Sequence, residues 1–170
     1  MLNKLIFGYL SVAIIILSIF VITRRNPVHS IVFMLVLFFH IAVLYLTLNA
    51  EFLAAIQIII YAGAVLVLFL FVILLLNLKE ELFVERFVGI WPLGLSAAIA
   101  LAIMMILSTT SFTKGPEGNI GADIIKNETN TNVLGRVLYT EYIYPFEILS
   151  VVLLVAIIGA IVLTKRRLRS

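Results

Sequence analysis

The feature that most constrains this chain is a series of five stretches almost free of charge, each long enough to cross a bilayer. They cover residues 5–23, 28–48, 52–78, 87–108 and 145–164. A crossing takes about 20 helical residues at about 1.5 Å each. Within hydrocarbon no water meets the backbone polar groups, so only helices or closed barrels are admissible. The runs are continuously apolar rather than alternating, which selects helices. Composition points the same way. Hydrophobic residues are 64% and charged residues 12% of the chain, against about 45–50% and about 25% in soluble domains, so polar groups are too few to cover a water-facing surface. The sequence predicts an all-α integral membrane protein with five transmembrane helices. Its single membrane domain spans 1–170, interrupted by an extramembrane loop at 109–144.

The first run follows Lys4 as a signal peptide would, but it lacks small residues at a cleavage site. It ends in Thr23-Arg24-Arg25-Asn26-Pro27 and re-enters the membrane at once, so it is a retained span. Short connections follow the first three runs, which makes neighbouring helices antiparallel and close. The fourth connection contains the turn-rich Lys114-Gly115-Pro116-Glu117-Gly118-Asn119. Beyond it, Val133, Leu134, Val137, Leu138 and Tyr142 recur near helical spacing, as in a short amphipathic helix on the membrane surface. Asn127-Glu128-Thr129 fits a glycosylation triplet too short to carry weight. Basic residues near span ends set orientation. One side collects Arg24, Arg25, Lys79, Arg86, Lys165, Arg166, Arg167 and Arg169, and the other Lys4, Lys114, Lys126 and Arg136. This bias places the amino terminus outside and the carboxyl terminus in the cytoplasm.

The chain has no cysteine, which excludes disulfides, thiolate metal sites and cysteine-ligated iron–sulfur clusters within it. Its two histidines have no carboxylates beside them to complete a metal site. Charges lie mostly between apolar runs, an arrangement unsuited to nucleic acid. No nucleophile–base pair, phosphate-binding glycine loop or metal-ligand spacing is present, so this chain alone is not expected to make or break bonds.

What remains is polar and small residues inside the spans, and the third run concentrates them. As a straight helix, 52–78 would be about 40 Å long against a hydrocarbon core of about 30 Å, so it tilts or leaves the core. Ala54, Gln57, Tyr61 and Ala64 are spaced three, four and three, which places them on one helical face. Gly63 is roughly 1 kcal/mol less favourable than alanine in a helix interior, yet permits close backbone approach or a local irregularity. The simplest reading is a packing seam in which Tyr61 and Gln57 satisfy each other or a neighbour. Glu51 at the mouth of this run and Glu147 in the first turn of the last are favoured by the helix dipole. Pro145 suits a first helical turn. For Glu51, at the membrane edge, a place beside a proton path is also open. His40 reads as a hydrogen-bonded packing residue and Trp91 as an interfacial anchor. Small residues recur as Gly94, Ser96, Ala97 and Ala98 in the fourth run and as Ala156, Gly159 and Ala160 in the fifth. A lone five-helix bundle hardly needs so many close seams, so a larger assembly is expected.

Two stretches carry a resemblance. One runs Glu51-Phe52-Leu53-Ala54-Ala55-Ile56-Gln57 through Tyr61-Ala62-Gly63-Ala64-Val65-Leu66-Val67-Leu68-Phe69. The other comprises Leu134-Gly135-Arg136-Val137-Leu138-Tyr139-Thr140-Glu141-Tyr142, then Pro145-Phe146-Glu147 and Leu154-Val155-Ala156-Ile157-Ile158-Gly159-Ala160. They resemble the third and last helices of subunit J of the proton-pumping NADH:quinone oxidoreductase, respiratory complex I. The resemblance implies a membrane-arm subunit of a bacterial cytoplasmic membrane, without redox chemistry of its own. FMN, iron–sulfur clusters and quinone would belong to partner subunits. Its neighbours would be subunits of the H, A and K types and antiporter-like subunits. It further implies a third helix that switches between regular and π-bulged forms, around 60–67, and so opens or closes a water path. Tyr61, Gly63 and Val67 match the switching region, with Glu51 near the path. The competing readings are a small subunit of a multi-subunit cation/proton antiporter and a structural membrane scaffold.

Overall fold

The structure, a computed structural model, describes residues 1–76, 91–110 and 128–165. The connection 79–86, the turn-rich stretch 114–119, Asn127 and the tail cations Arg166, Arg167 and Arg169 lie outside the described residues. The chain forms two compact units, Met1–Asn119 and Ile120–Ser170. The described residues are helical with short connections and contain no strand. Among the described residues, five helices are long and apolar enough to span a membrane.

In the first unit, α1 (Leu2–Thr23), α2 (Pro27–Thr47) and α3 (Glu51–Leu75) follow one another through tight connections. The first connection is built from capping. Arg24 leaves the helix in an extended conformation. Asn26 Oδ1 accepts from the Val28 N–H at 2.9 Å, and Pro27 opens α2 where no N–H is needed. Ser30 Oγ donates to the carbonyl of Val21, one of the α1 carbonyls that has no partner within its own helix. The second connection is a Schellman motif. Asn49 N–H donates to Leu46 O at 3.1 Å and Ala50 N–H to Tyr45 O at 2.9 Å. Asn49 takes φ 57°, a left-handed conformation that asparagine tolerates.

α2 is central, packed on α1 on one side and on α3 on the other. Phe20 meets Phe33 and Tyr9 meets His40. The reversed order of these contacts along the two helices shows that they are antiparallel. Leu10, Ile31, Ala42, Ala54, Ala62 and Leu66 are the buried apolar residues described in this unit, and half of them are alanines that let backbones approach closely. The serine hydroxyls within α1 bond their own helix. Ser11 Oγ donates to Phe7 O at 2.8 Å and Ser18 Oγ to Ile14 O at 2.7 Å, so neither donor is left unmet in lipid.

The fourth helix, α4 (Trp91–Thr110), contrasts with these. Within its unit it packs on none of α1–α3 among the described residues, and no residue of its apolar span is buried.

The second unit comprises α5 (Asn130–Thr140) and α6 (Ile143–Thr164). Val133 is buried, Tyr139 meets the Phe146 ring edge-on at 5.3 Å, and Arg136 pairs with Glu128 at 2.8 Å. Because α6 begins at Ile143, Glu147 is its fifth residue and falls beyond the first turn, where the dipole acts most strongly. Its position therefore differs from the first-turn placement expected from Pro145.

Candidate functional site in the third helix

The third span is not one regular helix. It begins as an α-helix over Glu51–Ile56, widens to a π-helix over Gln57–Val65, and returns to α over Leu66–Leu75. In the wide segment each N–H reaches back five residues instead of four. The Leu66 N–H accordingly donates to the Tyr61 carbonyl. Nine residues exceed the single-turn bulge that is the usual form of this structure. An irregular third helix was expected from the resemblance, around 60–67, and the π segment starts three residues earlier.

The return to α bonding has a topological consequence. Passing from i→i−5 to i→i−4 skips one carbonyl, and after the Leu66–Tyr61 bond the skipped carbonyl is that of Ala62. A buried backbone acceptor without a donor is unfavourable by about 1–3 kcal/mol. Ala62 is buried.

The extra residue also turns the helix. The buried positions of α3 are Ala54, Gln57, Ala62 and Leu66, spaced three, five and four. A 3.6-residue repeat would have carried the line from Gln57 to Tyr61 and Ala64, the seam expected from the sequence. The structure corrects that seam. Tyr61 is 49% exposed and Ala64 is exposed, while Ala62 and Leu66 face inward. Tyr61 does not bond Gln57. It presents its ring to Phe38 of α2, with centroids 6.0 Å apart and planes at 77°. Gln57 is only 7% exposed.

The other residues singled out by sequence are placed as follows. Gly63 lies near the middle of the π segment, where an added Cβ would stand 3.3 Å from the Ile58 carbonyl oxygen, five residues back. Val67 is the second residue of the resumed α-helix and is exposed. Glu51 opens α3 and is exposed. Ten residues, about 15 Å of helix, separate it from Tyr61, so the structure does not bring the two together. His40 Nδ1 lies 2.8 Å from the Val36 carbonyl. Since a carbonyl only accepts, Nδ1 carries the proton there, and the ring meets Tyr9 at 6.1 Å. Sequence reasoning missed Phe38 as the partner of Tyr61 and Ala62 and Leu66 as the inner face. An aromatic on the preceding span was the available signal for the first, and none existed for the phase shift.

Residues 17–163 match the family of NADH-ubiquinone/plastoquinone oxidoreductase chain 6. Chloroplastic NAD(P)H-quinone oxidoreductase subunit 6 of Physcomitrium patens is 37% identical, over 97% of this chain and 85% of its own length. NADH-ubiquinone oxidoreductase chain 6 of Cyanidium caldarium is 38% identical over 96% and 85%. NADH-quinone oxidoreductase subunit J of Rickettsia typhi is 38% identical over 95% and 80%.

Proposed function

The chain belongs to the family of NADH-ubiquinone/plastoquinone oxidoreductase chain 6, and on that premise we propose that it couples quinone reduction to proton translocation as a membrane-arm subunit of an NADH:quinone oxidoreductase. The observation that carries this reading is the π segment Gln57–Val65 inside an otherwise regular span. Such segments are rare and occur mostly at functional sites.

The segment has the properties of a two-state element. If the N–H groups of the whole segment, up to that of Leu66, move from the fifth to the fourth preceding carbonyl, the skipped Ala62 acceptor regains a donor. One residue leaves the wide turn, and every side chain beyond rotates by about 100° relative to the part before. Pairing of the Ala62 carbonyl favours the α register, and the room that Gly63 leaves against the Ile58 carbonyl permits the π register. Two packings of similar energy are what a small bias at one site can switch. In one register Val65 and Leu68 close an apolar gap, and in the other that gap admits water toward Glu51 or a partner's carboxylate. Tyr61, Gly63 and Val67 lie within or beside the segment that moves. Gln57, a buried polar residue at the start of the π segment, marks where water or a partner's polar group would enter.

The chain carries no redox step in this account. FMN, iron–sulfur clusters and quinone reside in partner subunits, and subunits of the H, A and K types and antiporter-like subunits surround it. Support for an assembly comes from α4, which packs on no other helix of its unit among the described residues. The basic bias supports an amino terminus outside and a carboxyl terminus in the cytoplasm of a bacterial inner membrane. Affinity purification of the tagged native chain tests the reading. Co-migration with flavin and NADH dehydrogenase activity is expected, and recovery without either would overturn it.

A further inference from the structure

At the junction of α1 and α2 a guanidinium is held against a pair of aromatic rings at the mouth of a cleft. Arg24 Cζ lies 4.9 Å from the centroid of Phe20 and 4.8 Å from that of Phe33. Both distances are within cation–π range, and the two rings themselves are 5.3 Å apart. Arg24, His29, Val32 and Phe33 line a cleft of about 350 Å³. Among the described residues no carboxylate pairs with Arg24, and Arg25 adds a second positive charge beside it. Arg24 directly follows a 22-residue apolar helix, which places the cleft at the membrane–water boundary.

From this charged mouth an apolar track runs into the bilayer. His29, Val32, Val36 and Phe39 are spaced three, four and three along α2, which puts them on one helical face. Val32, Val36 and Phe39 are 52%, 39% and 45% exposed. A cationic, donor-bearing head above an exposed aliphatic and aromatic stripe matches an anionic amphiphile end to end. We propose that the cleft formed by Arg24, His29, Val32 and Phe33 binds the headgroup phosphate of an anionic phospholipid, whose acyl chain lies along Val32, Val36 and Phe39. With Phe20 and Phe33 gathered on one side of its guanidinium, Arg24 leaves N–H donors on the other side for a phosphate, to which a guanidinium donates bidentately. The two cation–π contacts hold the side chain in place, so less freedom is lost on binding than at an unconstrained surface arginine. The site is independent of any movement in α3.

The test uses the assembled complex in its native membrane and a phosphatidylglycerol analogue bearing a photoreactive group on its acyl chain. After irradiation, adducts are expected on α2 within residues 29–40. Excess phosphatidylglycerol should suppress them, and phosphatidylcholine or millimolar inorganic phosphate should not. Arg24→Gln should lower the yield about fivefold, the equivalent of one basic residue's attraction to an anionic surface. Equal labelling by a phosphatidylcholine analogue would overturn the proposal, since it would show no headgroup recognition. Equal competition by inorganic phosphate would show a free-anion site instead. A photoreactive residue at position 32 that couples to another polypeptide rather than to lipid would show that a protein covers the cleft. Should Arg24→Gln prevent assembly, the competition series on the unaltered complex decides the question by itself.

Discussion

Valine at position 63 should separate electron transfer from proton pumping. A Cβ there stands 3.3 Å from the Ile58 carbonyl oxygen, a tight contact against a backbone atom that cannot swing aside while the π bonding persists. Valine adds two γ carbons beyond the Cβ of alanine, which enlarge the overpacking. Overpacking of this kind is unfavourable by about 1–3 kcal/mol. The penalty falls on one register only. In α geometry the Ile58 carbonyl serves Ala62, and a Cβ at 63 meets ordinary helical surroundings. The substitution therefore shifts the balance toward α by about 1–3 kcal/mol, or about 5–150-fold. Alanine adds the Cβ alone and should sit at the low end.

The assay takes inverted membrane vesicles in which native gels show normal assembly. It records NADH oxidation and the quenching of a pH-gradient dye on the same sample. Gly63→Val is expected to keep NADH oxidation largely intact while proton uptake per NADH falls several-fold, with Gly63→Ala between it and the unaltered enzyme. An assembled Gly63→Val complex with unchanged proton uptake per NADH would refute the reasoning. Failure of both variants to assemble would also contradict it, because position 63 would then be a packing seam alone.

Other expectations come from the connections and the unpaired helices. Asn49→Val forces a β-branched residue into the left-handed turn after α2 and should lower stability by about 1–2 kcal/mol, whereas Asn49→Gly should be nearly neutral; thermal unfolding of the detergent-solubilised complex separates the two. A reporter fused after Ser170 should be active in the form that reports the cytoplasm, and activity only in the periplasm would reverse the assigned orientation. Expressed alone, the chain should be heterogeneous and protease-sensitive in detergent. The reason is that α4 lacks a partner in its unit and lost interhelical hydrogen bonds are each worth about 0.6–2 kcal/mol; a uniform, resistant monomer would argue against this.

The spans were legible because hydrocarbon leaves the backbone no alternative to helices, and 20-residue apolar runs are hard to mistake. Even so, sequence put Tyr61 and Ala64 on one face with Ala54 and Gln57, and the structure buries Ala62 and Leu66 with those two instead. The cause is specific. Counting by three and four presumes 3.6 residues per turn, and the π segment inserts a five-residue step between Gln57 and Ala62. Gly63 hinted that regular geometry was in doubt, but a lone glycine does not reveal the direction or length of the irregularity. The irregularity itself was anticipated from the resemblance, not from periodicity. The Arg24 cleft was illegible for a different reason. Phe20 and Phe33 are thirteen positions apart, and only the tight turn through Asn26 and Pro27 folds them onto the same guanidinium.

The central claim is that the third helix changes register during turnover. Its most direct test is imaging of the assembled complex, at a resolution that traces backbone carbonyls, at rest and while oxidising NADH. The account predicts two populations of α3. In one the Leu66 N–H meets the Tyr61 carbonyl, as here; in the other it meets that of Ala62, and Leu68 and its successors are turned by about 100°. A single register through residues 57–66 in every state would contradict it.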